Sequence, residues 1–264
     1  MTEFFDTHAH LDFPDFQPDL EAVVSRAGQA GITRILCVGT TLASSRRVLE
    51  LADRFPAVHA IVGVHPNHVM EEPETIADAL ESLAMHPKVV ALGETGLDFY
   101  RLSGTHAQQA AARDRQAAFL TQHLDLARRL DLPCVIHQRE SFRETLQHLA
   151  ATPRAPRCVF HCFTGTVDEA LQVVAAGHCV SFTGIATFKS AANIREAIAA
   201  LPHGSFMLET DCPFLAPVPH RGRRCEPAHV ADLAPVVAAA RGCSLEELSR
   251  ATCETARGFF KRLG

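Results

Sequence analysis

Short apolar stretches rich in β-branched residues alternate with longer amphipathic stretches rich in Ala and Leu from one end of the chain to the other. Four to eight apolar residues between turn formers mark a buried strand, whereas apolar positions three and four apart over a dozen residues mark a helix. Eight such alternations are legible. Strands are predicted over 4–8, 32–38, 58–64, 89–93, 134–137, 158–161, 179–183 and 206–209. Helices are predicted near 18–30, 43–54, 73–86, 106–130, 141–150, 166–177, 190–200 and 227–241, with a further one near 245–262. Thr166 with Glu169, and Ser244 with Glu247, have the spacing of a capping box and support two of the starts.

Strand followed by helix, repeated, means parallel pairing, right-handed crossovers and helices on the outside. Eight units can close into a (β/α)8 TIM barrel, and a single α/β domain over 1–264 is the expectation. An open doubly wound sheet is the competing arrangement. A dinucleotide site in such a sheet would want GxGxxG after the first strand, where this chain carries His8 and His10. No linker, short-period repeat or low-complexity run interrupts the pattern.

The candidate chemistry lies where the strands end. Thr7-His8-Ala9-His10 closes the first strand, Glu94 follows the fourth, His137 ends the fifth, His161 the sixth, and Asp211 follows the eighth. In a parallel barrel these ends meet at one rim, where active sites are found. Residues two apart on a strand face one side about 6 to 7 Å apart, so His8 and His10 can aim two imidazoles at one ion. Four histidines and two carboxylates exceed the needs of one ion and point to a two-metal site for Zn, Mn, Mg or Co. Glu94 can offer one oxygen to each ion, and Asp211 can bind metal and deprotonate the attacking water, so these two are the catalytic candidates.

Taken singly, each residue has a plainer role. His8 and His10 could be surface or core histidines, Glu94 an acid at a helix N-terminus in the GETGLD turn, and His137 a strand-end residue bonded to the next loop. His161 could be a buried imidazole and Asp211 a turn former before Pro213. Cys158 and Cys162 flank His161, but on a strand Cys162 would point away from it, so both read as buried thiols.

The segments DTHAHLD (6–12), GVHP (63–66), GETGLDFYR (93–101), LPCVIHQRE (132–140), FHCFTG (160–165), SFTG (181–184), LETDCPFL (208–215) and RGRRCEP (221–227) resemble the TatD family of metal-dependent nucleases, within the wider metallo-amidohydrolase barrels. They keep the family's order and cover almost the whole chain. The resemblance implies that His8, His10, Glu94 and Asp211 hold one metal, and Glu94, His137 and His161 the other. It also implies that His65 and Glu209 sit close by, touching substrate or supporting the ligands. Cys225, and Glu254 or Thr255, stand where the family usually has Asn. None is an expected ligand, so these departures bear on packing of the substrate loop.

The reaction so implied is in-line attack of a metal-held hydroxide on phosphorus, with arginines clamping the flanking phosphates. Arg221, Arg223 and Arg224 are the candidates, with Arg101 and Arg139 also following rim strands. Any single one could equally be solvated surface charge. A formal net charge of −5 leaves no broad basic face for counterion release, so the expected nucleic acid partner is a short or frayed single-stranded DNA end, or RNA, cut as by a 3′ exonuclease. Two other classes stay open. One is an amidohydrolase or lactonase, or an aminoacyl-tRNA deacylase, on the same dinuclear site; barrels of that group often bridge their metals with a carboxylated lysine, and Lys88 lies at the far end of the fourth strand. The other is a barrel that binds without catalysis.

Composition adds the setting. Nine cysteines without a CxxC pair fit reduced thiols. The start MTEFFDTHAH has neither the basic nor the apolar region of an export signal, and no apolar run approaches the roughly 18 to 20 residues of a membrane span. A cytoplasmic monomer without membrane contact is expected. Imidazoles must be neutral to bind metal, so activity should fall on the acid side. The final CETARGFFKRLG reads as a helix packing Phe259 and Phe260 inward, with Lys261 and Arg262 in its last turn.

Overall fold

The computed structural model describes residues 2–263. Eight strands form one sheet in chain order: β1 (Phe4–Ala9), β2 (Ile32–Val38), β3 (Val58–Val62), β4 (Val89–Asp98), β5 (Cys134–Arg139), β6 (Cys158–Phe160), β7 (Cys179–Phe182) and β8 (Phe206–Leu208). Every neighbouring pair is parallel. The helices between them are α1 (Leu20–Gln29), α2 (Leu42–Arg54), α3 (Ala77–Ala84), α4 (His106–Leu130), α5 (Phe142–Ala151), α6 (Val167–Ala175), α7 (Ala192–Ala200) and α8 (Val230–Arg241), followed by α9 (Leu245–Phe259). The cylinder shuts where the chain beyond β8 meets β1: Asp211 N donates to His8 O at 2.9 Å and His10 N to Cys212 O at 2.8 Å. The eightfold barrel expected from the alternation is the fold.

Asp6 pins that seam. Its buried carboxylate accepts from Thr210 Oγ1 at 2.6 Å, Thr210 N at 2.9 Å and His8 N at 3.3 Å. Burial pushes its pKa up to about 8 in spite of these donors.

Two apolar layers follow from the period-two alternation of the strands. Phe4, Ile35, Val62, Ile136 and Phe160 face the helices in one cluster. Phe5, Leu36, Ile61, Val90, Val135 and Met207 fill the cylinder in a second one, closed from below by Cys253, Ala256, Phe259, Phe260 and Leu263.

Four local expectations change. Strand β4 runs on to Asp98, because Gly93 (φ 122°) and Gly96 (φ 142°) take conformations that L side chains avoid. A Cβ at Gly93 would strike Val135 O, and one at Gly96 would strike His137 O. Glu94 therefore lies within a strand and not at a helix start. Helix α3 begins later than predicted, since Gln122 holds the preceding stretch open by accepting from Ile76 N and donating to Glu74 O. Helix α9 ends at Phe259, so Lys261 and Arg262 lie past its last turn: Lys261 pairs with Asp131, and Arg262 binds Ala84 O and Val89 O. Finally, β6 ends at Phe160, and His161 and Cys162 form a turn with Cys162 at φ 47°. The alternation argument for Cys162 does not apply there; the nine cysteines are nonetheless free thiols.

Candidate metal centre

At the C-terminal mouth of the barrel the structure gathers His8, His10, Glu94, His137, His161 and Asp211. In one group His8 Nε2 lies 3.3 Å from His10 Nε2 and 3.4 Å from Glu94 Oε2. His10 Nε2 lies 3.3 Å from Asp211 Oδ1 and 3.7 Å from Glu94 Oε2, and His8 Nε2 lies 3.8 Å from Asp211 Oδ1. Ligands on a tetrahedral ion with bonds of about 2.0 to 2.2 Å stand about 3.3 to 3.6 Å apart, so this nitrogen and oxygen set suits one divalent ion. In the other group Glu94 Oε1 is 2.9 Å from His137 Nδ1 and 2.7 Å from His161 Nε2, which are 3.2 Å from each other. The rings of His8 and His161 stack at 4.0 Å across the join. Glu94 turns one oxygen towards each group.

A kink in β1 brings both of its histidines inward. Phe5 belongs to the inner cluster and Ala9 to the outer one, although four residues apart on a regular strand they would share a face. The register shift between Asp6 and Ala9 reverses the alternation. The glycines on either side of the Glu94–Thr95 pair aim Glu94 into the mouth, and Asp211 sits at φ 56° just past β8.

The imidazoles are held from behind. His10 Nδ1 meets Val38 O at 3.1 Å, and His137 Nε2 meets Asp98 Oδ2 at 3.3 Å. With its proton on Nε2 towards Asp98, His137 keeps a lone pair on Nδ1 for the cluster. Asp98 is itself fixed by Asn67 Nδ2 and by the Tyr100 and Arg101 amides. Glu209 accepts from Cys162 N and Ser181 Oγ, both at 2.6 Å, and its Oε1 stands 3.6 Å from His161 Nδ1, an ion-pair rather than a hydrogen-bond distance.

The groups perturb one another strongly. Burial works against the charged forms of His10, His137 and His161, yet the facing carboxylates raise all three, His161 most. His8 goes the other way, lowered by burial and by His161. Burial likewise opposes ionisation of Glu94 and Asp211, but the imidazoles hold Glu94 well below the ordinary carboxylate range and Asp211 below it. A buried, mutually stabilising set of this kind can trade its protons for cations.

The remaining expected residues divide. His65 faces the cluster, with Nε2 3.3 Å from Glu94 Oε1. Its Nδ1 accepts from Asn67 N at 3.0 Å, and burial lowers its pKa to about 4, so the neutral ring carries its proton on Nε2. Arg101, Arg139, Arg221 and Arg223 are exposed. Arg139 lies 3.7 Å over the Tyr100 ring and Arg221 4.1 Å over that of Phe188. Two expectations are corrected. Arg224 is no phosphate clamp, because its guanidinium is occupied by Asp19, Glu226 and Asp15 O. Glu209 is no substrate contact, because it is 1% exposed and both oxygens are engaged. Asp98 has no role in the pattern of strand ends, although it stands in GETGLDFYR four residues past Glu94 on the same strand. Lys88 bonds Pro56 O and Val58 O at the opposite rim. A separate group of His220, His229 and Asp232 is differently built: the two rings stack at 4.2 Å, and His229 Nδ1 accepts from Glu226 N, the bond of a loop closure.

A parallel barrel whose mouth presents a carboxylate shared between two imidazole groups defines the class of metal-dependent barrel hydrolases. The family profile described as TatD related DNase matches residues 5–261, and the chain belongs to this family. It is 33% identical to the Bacillus subtilis protein named uncharacterized metal-dependent hydrolase YabD, over 97% of this chain and 98% of that one. It is 37% identical to a Pantoea vagans protein named 3'-5' ssDNA/RNA exonuclease TatD, over 97% and 99% respectively. The solved structure of the TatD homologue YjjV from Escherichia coli superposes with a TM-score of 0.89 at 32% identity, covering 98% of each chain.

Proposed function

We propose that this metal-dependent hydrolase cuts phosphodiester bonds at single-stranded or frayed 3′ ends of DNA, with RNA as a second substrate. His8, His10, Glu94 and Asp211 would hold one divalent ion, and Glu94, His137 and His161 a second. The observation that carries the reading is Glu94, whose two oxygens face two separate nitrogen groups at 3.4 Å and 2.7 Å. The name of the Pantoea vagans relative supports the choice of nucleic acid.

When bound, such ions polarise the phosphodiester and make water a stronger acid. Asp211, whose side chain is 14% exposed, has an oxygen free to take the proton of the attacking water. His65 presents an N–H to Glu94 or to a non-bridging phosphate oxygen. Asp98 keeps His137 in its working orientation, and the Glu209 carboxylate gives His161 an electrostatic partner at 3.6 Å. Arg101, Arg139, Arg221 and Arg223, all exposed and carried at or beyond the C-terminal ends of β4, β5 and β8, would supply local contacts to flanking phosphates.

The test is purified protein with single-stranded DNA labelled at either end, in Zn, Mn, Co or Mg, against Glu94→Gln and beside RNA, lactones and acyl amides. Metal-dependent shortening from the 3′ end, absent in the variant, and about two ions per chain by mass spectrometry are expected. Turnover of a lactone or amide with intact DNA would replace this reading with the amidohydrolase one.

A further inference from the structure

Among the described residues, two of the large apolar side chains that stand in solvent are aromatic, Tyr100 at 56% exposure and Phe214 at 51%. Both are rooted in the metal centre. Tyr100 follows Asp98 by two residues and donates its N–H to Asp98 Oδ1 at 3.0 Å. Phe214 follows Asp211 by three and donates its N–H to Asp211 O at 3.0 Å. They grow from β4 and β8, half the circumference of the barrel apart. An apolar ring left in water beside buried charges gives up the free energy that burial would bring, unless a ligand covers it.

The surroundings of each ring specify that ligand. Phe13 lies over the His10 ring at 4.9 Å and 28°, and Phe214 stands edge-on to Phe13 at 5.9 Å and 84°. A wall of rings thus leads outward from a ligand imidazole. On the other side, the Arg139 guanidinium covers one face of Tyr100 at 3.7 Å. That contact stiffens the ring and adds a cation next to a π-face. Flat faces with a cation nearby suit a planar aromatic ring joined to an anion, which is the chemistry of a nucleotide, and suit an aliphatic lactone or acyl chain poorly.

We propose that Phe214 with Phe13, and Tyr100 with Arg139, are two base-stacking subsites on either side of the scissile phosphodiester. The proposal rests on the nuclease reading and deepens it. The substrate is then an unpaired strand of at least two base-bearing nucleotides, because a base already stacked within a duplex cannot offer its faces. Preference for single strands comes from stacking, with little dependence on base identity and little need of a cationic face.

The experiment compares a short single-stranded DNA with the same strand made abasic at its last two 3′ positions. Phe214→Ala and Tyr100→Ala should each raise KM on the intact strand about tenfold with kcat little changed. Phe214→Tyr and Tyr100→Phe should restore it, whereas Phe214→Leu should not. Met85→Ala, which removes a still more exposed apolar side chain just past α3, should leave KM unchanged. The abasic strand should bind wild type poorly and ignore both substitutions. A direct readout is 2-aminopurine at either terminal position, bound by wild-type protein under a chelator so that nothing is cut. Its fluorescence should be quenched, and less so with Phe214→Ala. Equal KM for intact and abasic strands, or cleavage without quenching, overturns the stacking subsites alone. Neither cleavage nor quenching overturns the nuclease reading with them.

Discussion

At the lower end of the barrel Phe5, Val90 and Met207 lie sealed beneath Phe259, Phe260 and Leu263, a wholly apolar plug supplied by the last helix and the residues after it. At the upper end the same strands deliver four imidazoles, Glu94 and Asp211 into a mouth that is almost as buried. Burying the plug removes apolar surface from water and stabilises the fold directly. Burying the charges costs desolvation, which only partners of opposite sign or a metal ion can offset. One sheet therefore separates two tasks along its strands, with stability at one end and reactive strain in charge at the other.

Glu94→Gln should affect the upper end most. Phosphodiesterase activity should drop on the order of 10³-fold, as for loss of a principal electrostatic stabiliser. The rise in Tm that a bound ion gives wild type by linkage should vanish as well, read by thermal shift in Mn against chelator. Retained activity would mean that the shared carboxylate is not the bridge.

Phe260→Ala tests the lower end. Truncating a fully buried ring there should cost about 3 to 5 kcal/mol in a urea titration, while kcat at low temperature stays near wild type. A specific loss of kcat without loss of stability would show that the two ends are coupled.

A third test lies between them, at His123 in α4. Its Nε2 accepts from Val64 N at 3.0 Å, its Nδ1 lies 2.7 Å from Phe119 O, and burial lowers its pKa to about 4. The unfolded chain takes up this proton near pH 6.5, but the folded one only near 4. The contribution of neutral His123 is thus fully present above pH 6.5 and is lost as the pH falls through that window to about 4. It amounts to about 3 kcal/mol at most. The difference in unfolding free energy between wild type and His123→Gln, measured across pH 4 to 7, should shrink towards acid; a constant difference would rule this out. Metal loading should also weaken with acid, since protons compete for the mouth imidazoles.

Asp98→Ala should weaken metal affinity by about 10- to 100-fold, seen in competition with a chelating dye, because His137 loses the acceptor that holds its tautomer. Smallest of all, Arg224→Ala should cost about 1 kcal/mol or less and leave KM for DNA unchanged, since it breaks a partly solvated network with Asp19 and Glu226. Arg221→Ala, by contrast, should raise KM. An equal rise in KM for Arg224→Ala would mean that its guanidinium leaves Asp19 and Glu226 to meet phosphate.

Much of this was legible without a structure. Hydrophobic periodicity locates the strands and α-helices of the described residues, β4 and α3 excepted at their ends, because each element must turn a regular apolar face to one core. Two capping boxes held at Thr166 and Ser244, since those bonds are local. The residues of the mouth could be named because parallel strands of a barrel all end at one rim. Asp98 could not, since its role depends on β4 continuing past two glycines. Nor could Arg224 and Arg221 be told apart, as their difference lies in partners some two hundred residues away or across a loop.

The sequence by itself determined the repeating strand and helix units, their parallel direction and the rim at which the chemistry collects, because these follow from backbone geometry and short-range pattern. Only the tertiary structure decided which nitrogen of each imidazole faces the cluster, which carboxylates stand behind it and which arginines are already spent. Those are matters of a few tenths of an ångström between residues distant in the chain, set by a register shift in β1 and by two glycines in β4 that no period records.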